Sequence, residues 1–138
     1  SNRTPDRAEQ VAGQARSVLP TECPIAAAEA GSPEERAALL NAGLVVNCTP
    51  LGMTGQHVAA TPVADINLLP QQAVVYDTVY TPMETRLIRE ARLRGLRTVS
   101  GLGMLVHQGA CAWEYWFGRR GPVAVMYKAA RAALEGRQ

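Results

Sequence analysis

Cysteine, histidine and lysine are all scarce in these 138 residues, and each shortage removes a class of chemistry. The three cysteines, Cys23, Cys48 and Cys111, form no pair at metal-ligand spacing. With His57 and His107 the only histidines, no metal site is expected, and the thiols read as reduced ones of a cytoplasmic protein. Lys128 is the single lysine and falls far from the end of any predicted strand. No Ser-His-Asp arrangement and no carboxylate pair offers an acid and a base, so no catalytic residue is assigned. Nor does a glycine-rich phosphate loop stand between a strand and the first helix. No apolar run approaches the roughly 20 residues of a membrane span, and no signal peptide is expected. An excess of one charge is missing too. Fourteen Lys+Arg against twelve Asp+Glu leave a net +2, too balanced to suggest a nucleic-acid surface.

What is present suits a soluble globular chain of one domain, with 47% hydrophobic and 19% charged residues. Thr4 as N-cap and Pro5 at N1 start a helix to about Ser17, with Ala8, Val11, Ala12 and Ala15 at helical spacing. A helix with such a start normally hangs from a strand, so the sequence reads as starting inside a unit. Cys23–Ala27 is a weak strand candidate. Ser32-Pro33-Glu34-Glu35 is a capping box opening a helix that stops at Gly43. Leu44–Cys48 and Ala73–Asp77 read as buried parallel strands, with a helical piece over Val63–Leu68 between them. Met83–Arg94 is an amphipathic helix with Leu87, Ile88 and Ala91 inward, Glu90 paired at i±4, and Gly95 as its stop. Leu96–Val99 is a third strand, and Pro122 starts a last helix.

The stretch from Ser100 to Gly118 organises the rest. It is a helix with Leu102, Leu105, Val106, Gly109, Ala112, Trp113, Trp116 and Phe117 on one apolar face. Gln108 lies at the margin of that face, in line with Met104, Cys111 and Tyr115; spacing alone leaves open whether it meets solvent or a cleft. Gly101-Leu102-Gly103 is a G-x-G with Val106 where a third glycine would stand, better suited to close backbone approach than to a dinucleotide fingerprint.

Strands alternating with helices predict an α/β fold, a Rossmann-like and mostly parallel sheet with helices on both faces that lacks its first βα unit. Ligands of such sheets bind outside the carboxyl ends of the strands. That rule gathers four turns, at Asn2-Arg3-Thr4, Asn47–Pro50, Asp77–Tyr80 and Ser100–Gly103. Arg3 and Arg7 bracket a helix N-terminus and, with the Thr4 hydroxyl, either grip a phosphate or stay solvated. Arginines there favour a 2′-phosphate, hence NADP over NAD. Asn47 either fixes its own loop or faces a ligand, and Tyr80 either packs or holds a substrate group.

Four motifs resemble the cofactor-binding domain of shikimate dehydrogenases: Asn2-Arg3-Thr4-x-x-Arg7, Asn47-x-Thr49-Pro50-x-Gly52-Met53, Asp77-x-x-Tyr80-x-Pro82-x-x-Thr85, and Gly101–Val106 followed by Gln108-Gly109-Ala110. The resemblance spans nearly all of residues 1–138 and implies specific roles. Asn2, Arg3, Thr4 and Arg7 would hold the adenosine ribose and 2′-phosphate of NADP. Thr49 would line the cofactor. Thr78 and Gly101 would meet its nicotinamide end, with Met104 packing nearby, while Tyr80 and Gln108 would reach shikimate. The family reaction is NADP-dependent reduction of 3-dehydroshikimate to shikimate. In the family an amino-terminal substrate domain supplies the catalytic lysine and aspartate, and a glycine-rich pyrophosphate loop precedes the Asn-Arg-Thr turn. Neither lies in this sequence, which is therefore expected to be a carboxy-terminal fragment, inactive alone and with a sheet edge open to pairing as a homodimer. The alternatives are a quinate/shikimate dehydrogenase using NAD and a non-catalytic regulatory or assembly domain of the same fold.

Overall fold

The computed structural model describes residues 1–19, 22, 24–55 and 57–136. The chain divides into two compact units: Ser1–Ala42 with Leu68–Pro70, and the remainder from Gly43.

In the first unit, α1 (Pro5–Val18) begins with Pro5, whose missing N–H costs nothing in the first helical turn. Thr4 is the N-cap, but its hydroxyl makes no capping bond; Asn2 Oδ1 instead accepts from the Thr4 N–H at 3.0 Å. Ala12 is buried, whereas Val11 is exposed although it shares the expected apolar spacing. Of the weak strand candidate Cys23–Ala27, residues 24–27 form no strand, and Cys23 lies outside the described residues. What forms is one parallel bridge between Asn2 and Glu29. α2 (Pro33–Leu40) is capped by Ser32, whose hydroxyl accepts from the Glu35 N–H at 3.2 Å. Only that half of the capping box forms. The Glu35 carboxylate turns back to the Gly31 N–H at 2.6 Å and to the Ser1 hydroxyl, not to the Ser32 N–H.

The second unit is built on a three-stranded parallel sheet in the order β1 (Leu44–Asn47), β2 (Val74–Asp77), β3 (Arg97–Val99). Asn47 pairs in register with Asp77, so β1 and β2 end level and release their loops side by side. Val75 and Asp77, on one face of β2, are wholly buried. On the other face Leu44, Val46 and Val99 stay exposed. β1 is an edge strand.

The helix expected from Met83 starts three residues later, as α3 (Arg86–Leu93), because Thr85 caps it by accepting from the Ile88 N–H. It packs on β2 and β3 through Leu87, Ile88 and Ala91. Gly95, at φ +77°, closes it with the paired bonds of a Schellman turn, Gly95 N–H to Arg92 O and Leu96 N–H to Ala91 O. Glu90 accepts from Arg86 as the spacing predicted. Of the expected Val63–Leu68 helix only a 3-10 turn forms, at Ile66–Leu68.

α4 (Gly101–Phe117) and α5 (Val123–Glu135) pack against each other. Leu102 and Val106 are buried as predicted, but the apolar face is not buried to its end: Trp116 and Phe117 are exposed, with Trp116 at 72%. Periodicity identifies a face, not what lies over it.

The packing of α3 is testable. Leu87→Ala removes a side chain that is 1% exposed and should cost about 2–5 kcal/mol. Leu93→Ala, on the same helix at 83% exposure, should stay within about 0.5 kcal/mol. Urea unfolding followed by tryptophan fluorescence compares the two.

Candidate functional site

The level ends of β1 and β2 are tied by a web of buried polar groups. Asp77 Oδ1 accepts from Asn47 Nδ2 at 2.9 Å and from the Val79 N–H at 3.0 Å, and Oδ2 accepts from the Thr85 hydroxyl at 2.6 Å. Asn47 Oδ1 in turn accepts from the Thr49 N–H and hydroxyl, and Asn47 Nδ2 also reaches the Leu51 carbonyl. The Thr78 hydroxyl donates to the Asn47 carbonyl at 2.8 Å. Asn47 therefore fixes its own loop, and Asp77 fixes the next one. No buried side-chain nitrogen or oxygen among the described residues lacks a partner.

These loops form a groove of about 310 Å³ in which Thr49, Met53, Thr78 and Tyr80 share the walls with Cys48, Pro50, Val79 and Thr81. The sequence rule thus brings Thr49, Thr78 and Tyr80 together. Tyr80 also lines a second hollow of about 400 Å³, with Ser100 and Leu102 at the start of α4, Arg92 of α3, and Tyr127 and Arg131 of α5. Arg92 pairs with Glu84 and Arg131 with Glu135, so the guanidinium charges here are matched. The hydrogen bond and charge of Glu135 raise the Arg131 pKa above its ordinary value. Sequence reading missed Arg92, Tyr127 and Arg131, because nothing in their spacing relates α3 to α5.

Gly101 meets the Thr78 and Val79 backbone directly. A Cβ built on it would fall 2.1 Å from the Thr78 carbonyl oxygen and 2.8 Å from that of Val79. Thr78 and Gly101, expected to act together, are therefore in contact. Gly103 has open space where a Cβ would go, so only the first glycine of the pair is required by close approach. Met104 and Gln108 follow at successive turns of α4, both exposed. Gln108 thus meets solvent on this chain.

In the first unit, Asn2, Arg3, Thr4 and Arg7 cluster at the start of α1, all exposed. Neither guanidinium has a hydrogen bond or ion pair among the described residues, and the Thr4 hydroxyl is not spent on capping. Two guanidiniums beside the positive end of a helix suit an anion, although Asp6 adds an opposing charge and the Arg7 and Ala8 N–H groups already bond the Thr4 carbonyl. Among the described residues no cluster of His, Cys, Asp and Glu could hold a metal ion, and no helix is long and apolar enough to cross a membrane.

Parallel strands, crossover helices and a groove at the strands' carboxyl ends define a Rossmann-like α/β protein. A family model described as the shikimate 5′-dehydrogenase C-terminal domain matches residues 101–131. The shikimate dehydrogenase (NADP(+)) of Symbiobacterium thermophilum is 63% identical over 136 residues, 98% of this chain and 45% of its own length. The chain belongs to the shikimate dehydrogenase family. A solved shikimate dehydrogenase in complex with NADP+ superposes with TM-score 0.84 at 29% identity, covering 97% of this chain and 45% of that one. The quinate dehydrogenase of Corynebacterium glutamicum in complex with NAD gives TM-score 0.79 at 29% identity, covering 94% of this chain and 43% of that one. The chain thus spans less than half the length of these relatives.

The two glycines separate close approach from helix propensity. Gly101→Ala should destabilise the chain by about 1–3 kcal/mol, because Thr78 must move. Gly103→Ala, in open space within the helix, should stabilise it by about 0.5–1 kcal/mol. Thermal unfolding of both variants measures the difference.

Proposed function

We propose that this chain is the cofactor-binding part of an NADP-dependent shikimate dehydrogenase, acting in the reduction of 3-dehydroshikimate to shikimate. The observation that carries the cofactor reading is the pair of guanidiniums, Arg3 and Arg7, at the start of α1, without a hydrogen bond or ion pair among the described residues. Donors of that kind and number fit a phosphate monoester, and a 2′-phosphate distinguishes NADP from NAD. When bound, the nicotinamide supplies or accepts a hydride.

The residues divide the work. Asn2, Arg3, Thr4 and Arg7 hold the adenosine ribose and its 2′-phosphate. Thr49 lines the cofactor, Thr78 and Gly101 offer backbone groups to the nicotinamide end, and Met104 packs beside it. Tyr80 and Gln108 reach the hydroxyl and carboxylate groups of the substrate. Proton transfer falls to the lysine and aspartate of an amino-terminal substrate domain, so the isolated chain binds without turnover. The setting is cytoplasmic. The free edge of β1 offers a pairing surface for a second copy of the chain.

A second reading, a quinate/shikimate dehydrogenase using NAD, is favoured by the likeness to the quinate dehydrogenase in complex with NAD. One variant separates the two. Losing a charge-assisted contact costs about 1.5–3 kcal/mol, so Arg3→Asp should weaken NADP+ relative to NAD+ by roughly tenfold to a hundredfold. Titration calorimetry with each nucleotide reads the ratio, and an unchanged ratio would remove Arg3 from the 2′-phosphate site.

A further inference from the structure

Asp77 is fully buried, belongs to neither the proposed cofactor contacts nor the proposed substrate contacts, and has no cationic partner among the described residues. Its two oxygens instead take donors from three separate places: the side chain at the end of β1, the backbone just past β2, and the residue that caps α3. Asn47 and Thr85 are themselves buried, so the donors cannot turn to solvent instead. A carboxylate is the side chain that accepts at both ends at once; a carboxamide accepts at one. Asn47 passes the constraint onward, since the amide that donates to Asp77 also donates to the Leu51 carbonyl and its oxygen holds the Thr49 N–H and hydroxyl.

We infer that Asp77 is a positioning residue that couples the 48–53 loop to the 78–81 loop, so that the groove between Thr49 and Tyr80 is formed before any ligand arrives. The functional consequence rests on the cofactor reading of that groove. A preformed groove loses less conformational freedom on binding than one that must be assembled.

The test removes the acceptor and then restores part of it. In Asp77→Ala the Val79 amide loses its partner and Asn47 loses its anchor. Amide hydrogen exchange at Val79, and at Thr49 and Leu51 in the other loop, should quicken by about tenfold or more. Asp77→Asn keeps one oxygen for Asn47 and Val79 and should return Thr49 and Leu51 to within about threefold of the wild-type rates. NADP+ affinity should follow the same order, falling about tenfold in Asp77→Ala and recovering in Asp77→Asn. Should Asp77→Ala not fold, Thr85→Val, which withdraws the donor to Oδ2, takes its place. It should speed Val79 and Thr49 exchange and weaken NADP+, with Thr85→Ser restoring both.

Faster exchange confined to Val79, with Thr49 and Leu51 unchanged, would overturn the coupling. Faster exchange in both loops with unchanged NADP+ affinity would reduce Asp77 to a structural residue and overturn the positioning role. A wild-type chain that binds no NADP+ but shows the full exchange pattern would sink the cofactor reading alone.

Discussion

A carboxylate with no exposed surface sits where two parallel strands end, and the second unit is arranged so that this group is never left without donors. Transferring an ionised carboxylate out of water without partners is among the most costly events in folding, whereas hydrogen bonds to charged groups return about 1.5–3 kcal/mol each. Asp77 has three. Each fixes a different segment: the β1 register that sets Asn47 beside Asp77, the turn at Val79, and the start of α3 at Thr85. The Thr85 hydroxyl donates to the carboxylate while it accepts from the Ile88 N–H, so one side chain both closes the web and caps the helix. That explains why α3 begins after Thr85 although apolar spacing extends back to Met83.

A second constraint acts on the same loop from the other side. The first residue of α4 comes within a methyl group's reach of the Thr78 carbonyl, and a side chain there has no space. The peptide between Thr78 and Val79 is thus held between a buried carboxylate and a helix N-terminus. These two contacts act on the groove walls together with the hydrogen bonds that Thr49 and Thr78 make to Asn47. Tyr80, one residue on, lines two hollows, whereas Asp77 and Gly101, which hold the peptide before it, line neither.

Local signals carried much of this into the sequence. Ser32-Pro33 and Gly95 are legible because a cap or a left-handed turn is decided by a few adjacent residues. The topological rule made Thr49, Thr78 and Tyr80 legible as a group, since strand ends converge whatever their side chains. Asp77 was visible as a strand end and as one letter of a motif, but not as the centre of a web. Its two side-chain partners lie 30 and 8 residues away, and no periodicity connects them. Likewise, the pattern of α4 gave Leu102 and Val106 as buried and Trp116 as their equal, because an apolar stripe records a preference and burial needs a neighbour. Gln108 shows the same limit: its place on the helix is legible, but its exposure is not.

The proposed division of labour places unlike physics in the two units. At the start of α1 the guanidiniums of Arg3 and Arg7 stand in solvent, where charge interactions are weakened by salt and flexible side chains must be ordered on binding. Such a site selects by charge, and its preference for a phosphorylated ribose rises as ionic strength falls. Around Thr49 and Thr78 the contacts are short, neutral at the surface and fixed by buried groups, so salt has little hold on them. A planar ring offered there is judged by shape and by backbone hydrogen bonds. On this reading, discrimination between the two dinucleotides belongs to the exposed arginines, while orientation of the reactive ring belongs to the web around Asp77. A change in either would leave the other's contribution standing, because the first depends on charge in water and the second on geometry out of it.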